Sequence, residues 1–525
     1  MPVRPPVRLR DLARPLAALV ALHVALMLAW TVLLPTFRGA DEHVHHDFLR
    51  HLTETWQYPD YDELRVHQRT LVAERDSPAY RAHHPPALEE EAIPRGERAS
   101  WSELGPDVRD GPINQLAQHP PLYYVPTAAA LRLVDGDGSA PLDLVVWQLR
   151  LLNVVALGAM PLLAADIARR LTSSVPVVLS AGAGVLAVPQ LTHLGGTLSN
   201  DPMMVALSSL ALAGVTRMLT GDRRVSTAAL TGLAAGLALL TKGFAVPLVP
   251  AVALACLLPV WWERRRPAAP LGRAALVAGL AMVVGGWWWV RNVVVHGNVQ
   301  PGVGLRPRVE GIEPDVVRFA GNFSERLIDS FWGNVGWREA QLPLPLSIVL
   351  TVGLVAAVAV ACWEDRRRLV LVVPTAVAGV MVLAAGWGAY RKTGVSYATQ
   401  GRYLFASIAV LVALAAVGAA KVGGPWIRRH QPVLVLAAGL VLQAGMLVIA
   451  GRRYWGGDGL ERIEALVAFS PLPAAATAAL LVLPALAAGG AVAAVLGQRP
   501  ATAPTGLRPS TGVRQEEPAA PSTDA

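Results

Sequence analysis

The sequence predicts an all-α, polytopic membrane protein, and three observations lead there. Of 525 residues, 53% are hydrophobic and only 16% charged, with a mean hydropathy of +0.41, a balance outside that of soluble domains. Apolar runs recur along most of the chain at the length a bilayer requires, since a helix rising about 1.5 Å per residue needs roughly 20 apolar residues to cross about 30 Å of hydrocarbon. Arginines gather in alternate short connectors between those runs, as they do on a cytoplasmic face. The net charge of +8 therefore reports topology, and no nucleic-acid partner is expected.

The first run, 15–35, follows Arg4, Arg8, Arg10 and Arg14. Such a start also fits a secretory signal, but the length of the run and the spans after it favour a first membrane helix. A long loop, 36–146, opens with Asp41-Glu42-His43-Val44-His45-His46. Val44, Phe48, Leu52 and Trp56 then recur every four residues, the spacing of an interfacial helix. Pro120-Pro121-Leu122-Tyr123-Tyr124 and the apolar run to Val134, too short to span, read as a second helix lying along the outer membrane surface. His83-His84 and Glu89-Glu90-Glu91 read as solvated loop. Further spans fall at 147–168, 174–194, 201–219, 226–241, 244–262 and 272–290. Lys242-Gly243 breaks the over-long stretch 226–262, because a lysine at mid-bilayer costs about 2.5–3.5 kcal/mol. A second loop, 291–342, precedes spans at 343–362, 369–388, 402–420, 432–450 and 472–495, about twelve in all. The tryptophans at 261, 262 and 287–289 read as interface anchors. The expected division is a membrane domain, 1–496, and a cytoplasmic tail, 497–525, rich in Pro, Thr and Ala and without apolar periodicity, which reads as disordered.

Arg169-Arg170, Arg223-Arg224, Arg264-Arg265-Arg266, Arg366-Arg367-Arg368 and Arg428-Arg429 mark the alternate connectors, with Arg452-Arg453 the exception. The expectation is a multi-pass plasma-membrane protein with both termini in the cytoplasm and both long loops outside. Cys256 and Cys362, the two cysteines, lie in or at the inner ends of apolar runs and make no disulfide framework.

Under that topology Asp41, Glu42, His119, Arg150, Asp201, Lys242, Arg291, Arg402 and Tyr403 come to one depth on the outer side. Any one of them reads equally as a snorkelling anchor, whereas the group reads as a site. Arg150, Lys242, Arg291 and Arg402 suit a lipid phosphate, and Asp41 suits deprotonation of an attacking hydroxyl. Phosphate gains charge as the bond to a sugar breaks, so fixed cations stabilise the transition state more than the ground state. Asp41, Glu42, His45 and His46 are the set a divalent metal would use, Glu42 and His46 lying four apart on one helical face. The plainer reading is a polar helix start, so a metal is compatible but no cofactor is required.

These residues resemble a known family. Asp41-Glu42 after the first span, His119-Pro120-Pro121-Leu122-Tyr123-Tyr124 late in the first loop, and Arg150-Leu151-Leu152-Asn153 opening the second span are similar to the pattern of GT-C glycosyltransferases, nearest the protein O-mannosyltransferase and lipid A aminoarabinose transferase group. Ser199-Asn200-Asp201, Leu240-Thr241-Lys242-Gly243, Trp289-Val290-Arg291-Asn292 and Gln400-Gly401-Arg402-Tyr403-Leu404 extend the resemblance over roughly residues 15–450. Each motif is short, and their order carries the likeness. The resemblance implies a GT-C fold, Asp41 as catalytic base with Glu42 in support, Arg150 on the donor phosphate and Asp201 as a second acid. Lys242, Arg291, Arg402, Tyr403 and His119 match less defined substrate positions. It also implies a polyprenyl-phosphate sugar as donor, used on the extracytoplasmic side of a bacterial cell envelope.

The expected function is thus an integral membrane glycosyltransferase, moving a hexosyl or pentosyl group from a polyprenyl-phosphate carrier to a hydroxyl of a glycan, lipid or protein. The alternative is a transporter or flippase of lipid-linked sugars, which would place its polar groups near mid-membrane on broken helices. A scaffold of the cell envelope would need no such convergence of acids and bases.

Overall fold

The computed structural model describes residues 7–78, 92–262, 268–301, 313–396 and 399–498. His83-His84, Glu89-Glu90-Glu91 and the tail from 499 lie outside the described residues. The described residues are mostly helical, as expected of a backbone that must satisfy its own polar groups in lipid. Among the described residues nine helices are long and apolar enough to cross a membrane.

Helix α1 (Ala13–Leu33) enters the core and packs on the last helix. Two shorter helices follow in the first loop, α2 (Glu42–Thr55) and α3 (Gln68–Asp76). A third, α4 (Tyr124–Asp135), lies later in that loop. Phe48, Leu49 and Leu52 of α2 form a buried cluster with Tyr124, Ala128 and Leu131 of α4. The two helices thus share one small core above the bundle. Trp56 does not continue the buried face, because a strict four-residue spacing drifts off a 3.6-residue turn. It caps α2 in the left-handed region (φ 53), half exposed, with Arg132 over its ring.

Helices α5 (Leu142–Leu157) and α6 (Met160–Leu171) together make one long span. The run expected at 174–194 is instead broken into α7 (Val175–Gly184) and α8 (Pro189–Gly195), bent by 68°. Pro189 supplies the reason, since a proline disfavours helical geometry in the residue before it, and Val188 sits at φ −117, ψ 87. Then come α9 (Asp201–Leu219), α10 (Val225–Leu239) and α11 (Leu248–Trp262), the last two too short to pass as full spans by themselves. Helices α12 (Ala268–Ala281) and α13 (Trp287–His296) join through a π-helical turn.

The second loop, expected without helices of its own, contains α14 (Val316–Trp332) and a small hairpin, β1 (Asn334–Val335) with β2 (Ala340–Gln341). The signal for α14 is Phe319, Phe323, Leu327 and Phe331 at four-residue spacing behind Asp315, whose carboxylate caps the first turn. Helices α15 (Leu344–Glu364), α16 (Leu369–Thr393), α17 (Ile408–Val422), α18 (Pro425–Trp455), α19 (Gly459–Phe469) and α20 (Ala474–Leu496) complete the bundle. Helix α15 lies against α17 at Gly418, where a Cβ would overlap the Ala357 carbonyl.

Two of the arginine-rich connectors, at 169–171 and 366–368, meet at one end of the bundle. Arg217 pairs with Asp166 at 2.7 Å and Arg368 reaches the Leu171 carbonyl. The long loops meet at the other end, where Arg95 and Arg98 bond carbonyls at 467–470 and Arg291 meets Asp60.

Candidate active site

The site begins where α1 ends. The last carbonyls of a helix have no partner within it, and Arg150 of α5 takes three that close this one. Its Nη1 donates to Thr31 O and Leu34 O at 2.8 Å each, and its Nη2 to Pro35 O at 2.9 Å. The same guanidinium holds Glu42 in a fork, Nε to Oε1 at 2.8 Å and Nη2 to Oε2 at 2.7 Å. All five of its donors are therefore engaged. Glu42 also accepts the Leu198 amide at 2.9 Å, and Asn153 donates to the carbonyls of Thr197 and Ser199. One buried network thus joins α1, α2, α5 and the turn before α9.

That network aims Asp41. Its backbone is left-handed (φ 62, ψ 8) at the start of α2, a conformation Asp tolerates better than most residues. Its carboxylate faces Arg402 Nη2 at 3.5 Å. Asp201 opens α9, where a negative charge suits the helix dipole, and lies between Lys242 Nζ at 2.6 Å and Arg402 Nε at 3.6 Å. Arg402 is 7% exposed and follows Gly401, where a Cβ would collide with the Leu327 carbonyl and Phe331 amide of α14. Only glycine lets this segment lie so close. Tyr403 stacks on Phe244 at 4.1 Å between ring centres, with Lys242 and Arg402 both near its ring.

Two imidazoles complete the cluster. Burial, reinforced by the charge of Lys242, pushes His119 down to about 3 and His45 well below the usual histidine range. Both are neutral hydrogen-bonding groups at neutral pH. His45 Nδ1 lies 3.2 Å from the Tyr124 hydroxyl, and Tyr58 donates to the His119 carbonyl at 2.5 Å.

Of the residues selected from sequence, Asp41, Asp201, Lys242, Arg402, Tyr403, His45 and His119 come together. Glu42 and Arg150 lie behind them, occupied with one another. Arg291 stands apart, tied to Asp60 at 3.2 Å and lying over the Trp288 ring. The possible metal set does not assemble, since Glu42 turns to Arg150 while His46 packs between Phe37 and Trp101. Among the described residues no group of three or more His, Cys, Asp or Glu could hold a metal ion.

Two cavities lie beside the 401–404 segment, one lined by Arg402 and the other by Leu404. A polar one of about 230 Å³ is lined by Ala40, His193, Arg326, Trp337, Thr399 and Arg402 among others. An apolar one of about 350 Å³ runs between α14, α15 and α16 from Leu404 to Cys362. His193, Arg326, Trp337 and Thr399 were not selected from sequence. The polar Gln190, Thr192 and His193 within an apolar run and the α14 periodicity were the available signals.

Over 91 residues the chain is 41% identical to undecaprenyl phosphate-alpha-4-amino-4-deoxy-L-arabinose arabinosyl transferase 1 of Sodalis glossinidius, a match covering 17% of this chain and 16% of that protein. Among solved structures it is similar to apo ArnT from Cupriavidus metallidurans, with 15% identity, a TM-score of 0.42, and coverage of 88% of this chain and 75% of that one. It is also similar to the Archaeoglobus fulgidus oligosaccharyltransferase tethered with an acceptor peptide, with 10% identity, a TM-score of 0.45, and coverage of 84% and 55%. Residues 24–412 match the family described as "Predicted membrane protein (DUF2142)", and the chain belongs to that family.

Proposed function

We propose that the chain is an integral membrane glycosyltransferase that moves a sugar from a polyprenyl-phosphate carrier to an acceptor hydroxyl on the extracytoplasmic face. The observation that carries this reading is the junction at residues 401–404. Arg402 reaches both Asp41 and Asp201, and two residues later Leu404 lines the apolar cavity. A donor with an anionic head and an isoprenoid tail matches that meeting of charge and apolar space. The short match to an arabinosyl transferase named for undecaprenyl phosphate supports the same donor class.

In this reaction the acceptor oxygen attacks the anomeric carbon and its proton passes to Asp41. The bond from that carbon to the phosphate oxygen breaks, and the electron pair leaves on the phosphate. Lys242 and Arg402 stabilise the charge that grows there, while neutral His45 and His119 offer hydrogen bonds without adding repulsion to either cation. Asp201 fixes both cations. Arg150, whose donors are spent within the fold, is a positioning residue for Glu42 and the start of α2, and Arg291 acts at the outer edge.

One feature favours the flippase reading: the broken helix α7–α8, whose Gln190 and His193 line the polar cavity. Purified protein given a panel of polyprenyl-phosphate sugars separates the two. Release of polyprenyl phosphate together with a new glycoside, lost in Asp41→Asn, is expected. Passage of the intact lipid-linked sugar across a vesicle without cleavage would overturn the transferase.

A further inference from the structure

The polar cavity beside Asp41 and Arg402 is not used by the donor chemistry. At about 230 Å³ it falls just under the roughly 300–1,000 Å³ of sites that take drug-sized ligands, room for a single sugar ring and its substituent. Besides Arg402, whose Nε faces Asp201, four of its lining residues carry buried polar atoms with no hydrogen-bond partner among the described residues: His193 Nε2, Asn334 Oδ1, Ser396 Oγ and Thr399 Oγ1. His193, Ser396 and Thr399 are each under 5% exposed. Buried polar groups are nearly always paired, so such a set around one space points to a ligand dense in hydroxyl groups.

The cavity is also unbalanced in charge. Arg338 is paired with Asp329 at 2.6 Å and with Glu325 at 3.1 Å. Arg402 faces Asp41 and shares Asp201 with Lys242. The guanidinium of Arg326, which also lines the cavity, forms no ion pair among the described residues, although its charge is felt at Asp329. At the rim, the turn between β1 and β2 holds out Trp337, 50% exposed, a flat apolar face of the kind that stacks on a sugar ring. Ala40 brings the cavity next to the carboxylate that is to accept a proton.

Building on the transfer reaction above, we propose that this cavity is the acceptor subsite and takes an anionic sugar, its ring against Trp337, its carboxylate or phosphate at Arg326 and its attacking hydroxyl toward Asp41. That hydroxyl forms the new bond to the anomeric carbon, gives its proton to Asp41, and the polyprenyl phosphate departs with the electron pair of the broken bond.

Equilibrium binding of methyl glucuronide, glucose 6-phosphate and methyl glucoside to the purified full-length protein tests this. At least one anionic sugar should bind more tightly than the neutral glucoside. Arg326→Gln should weaken that sugar roughly ten- to a hundredfold and erase the preference, with Arg326→Lys keeping part of it. Trp337→Ala should weaken all three. Arg326 makes no ion pair among the described residues, so its variants should leave the bundle intact, and Trp337 gives a second, independent readout. Equal binding of neutral and anionic sugars to the unaltered protein, or an unchanged affinity in Arg326→Gln, would overturn the subsite. Arg326-dependent binding in a protein that cleaves no polyprenyl-phosphate sugar would uphold the anionic-sugar site and remove the donor reaction instead.

Discussion

Arg150→Ala separates two roles for one residue, donor ligand or structural clamp. In the fold its guanidinium makes two bonds to Glu42 and three to the carbonyls of Thr31, Leu34 and Pro35. Truncation leaves Glu42, 0% exposed, with only the amides of Leu198 at 2.9 Å and Gly39 at 3.4 Å. Removing one partner of a buried ion pair costs about 3–5 kcal/mol. Each carbonyl that also loses its donor adds roughly 1 kcal/mol, although these costs overlap and Glu42 can limit them by taking up a proton. A loss of about 4–7 kcal/mol follows, a large part of the roughly 5–15 kcal/mol that holds a typical fold together. Arg150→Lys keeps the charge but cannot reproduce the fork, and should fall between. The assay is thermal unfolding in detergent, followed by the monodisperse fraction on size exclusion. Arg150→Met with Glu42→Leu should be more stable than Arg150→Ala alone, because no buried charge is left unpaired. An Arg150→Ala protein with unaltered melting temperature but lost donor affinity would refute the clamp, and would return Arg150 to the phosphate role that the sequence resemblance implies.

Asp41→Asn should lower transfer by about 10²–10⁴-fold with little change in melting temperature, since its ion pair to Arg402 is long at 3.5 Å; wild-type turnover in that variant would remove Asp41 as base. Lys242→Met frees Asp201 from its 2.6 Å partner and should raise the donor KM more than the acceptor KM, and an effect confined to the acceptor would place the phosphate elsewhere. Burial outweighs Arg338 at Asp329 and lifts its carboxyl from 3.8 to about 6. A carboxyl raised by folding stabilises the fold below pH 3.8 and loses that contribution as pH climbs through about 6. Asp329→Asn should flatten the melting-temperature profile across that window, and a profile parallel to wild type would count against the shift. For sidedness, Gln57→Cys and Thr220→Cys are exposed at opposite ends of the bundle while Cys256 and Cys362 are buried. An impermeant thiol reagent on intact cells should label position 57 alone, and labelling of position 220 instead would invert the orientation.

The sequence by itself determined the elements whose cause is local. Hydrocarbon thickness sets the length of an apolar run, so the nine membrane-length helices among the described residues could be located, though α18 runs several residues beyond its expected ends and the runs at 174–194, 226–241 and 244–262 are not full unbroken spans. The amphipathic α2 was legible for the same reason, from the spacing of Val44, Phe48 and Leu52. The polar residues at the span ends could be named because an ionisable group there is costly unless it is used or paired. Tertiary structure alone decided how each was paired. Arg150 and Arg402 look alike in sequence, each an arginine at the start of a span, yet one is saturated by Glu42 and the carbonyls of α1 while the other lies between Asp41 and Asp201. The break at Pro189 and the helix α14 left local signals in the sequence, but the cavity they build with Trp337, Ser396 and Thr399 left none. It draws on α8, α14, the hairpin and the segment before α17, and only packing over hundreds of residues brings them to one place. Hydrophobic periodicity is fixed over a few turns of helix, whereas the partner of a buried charge is chosen through space.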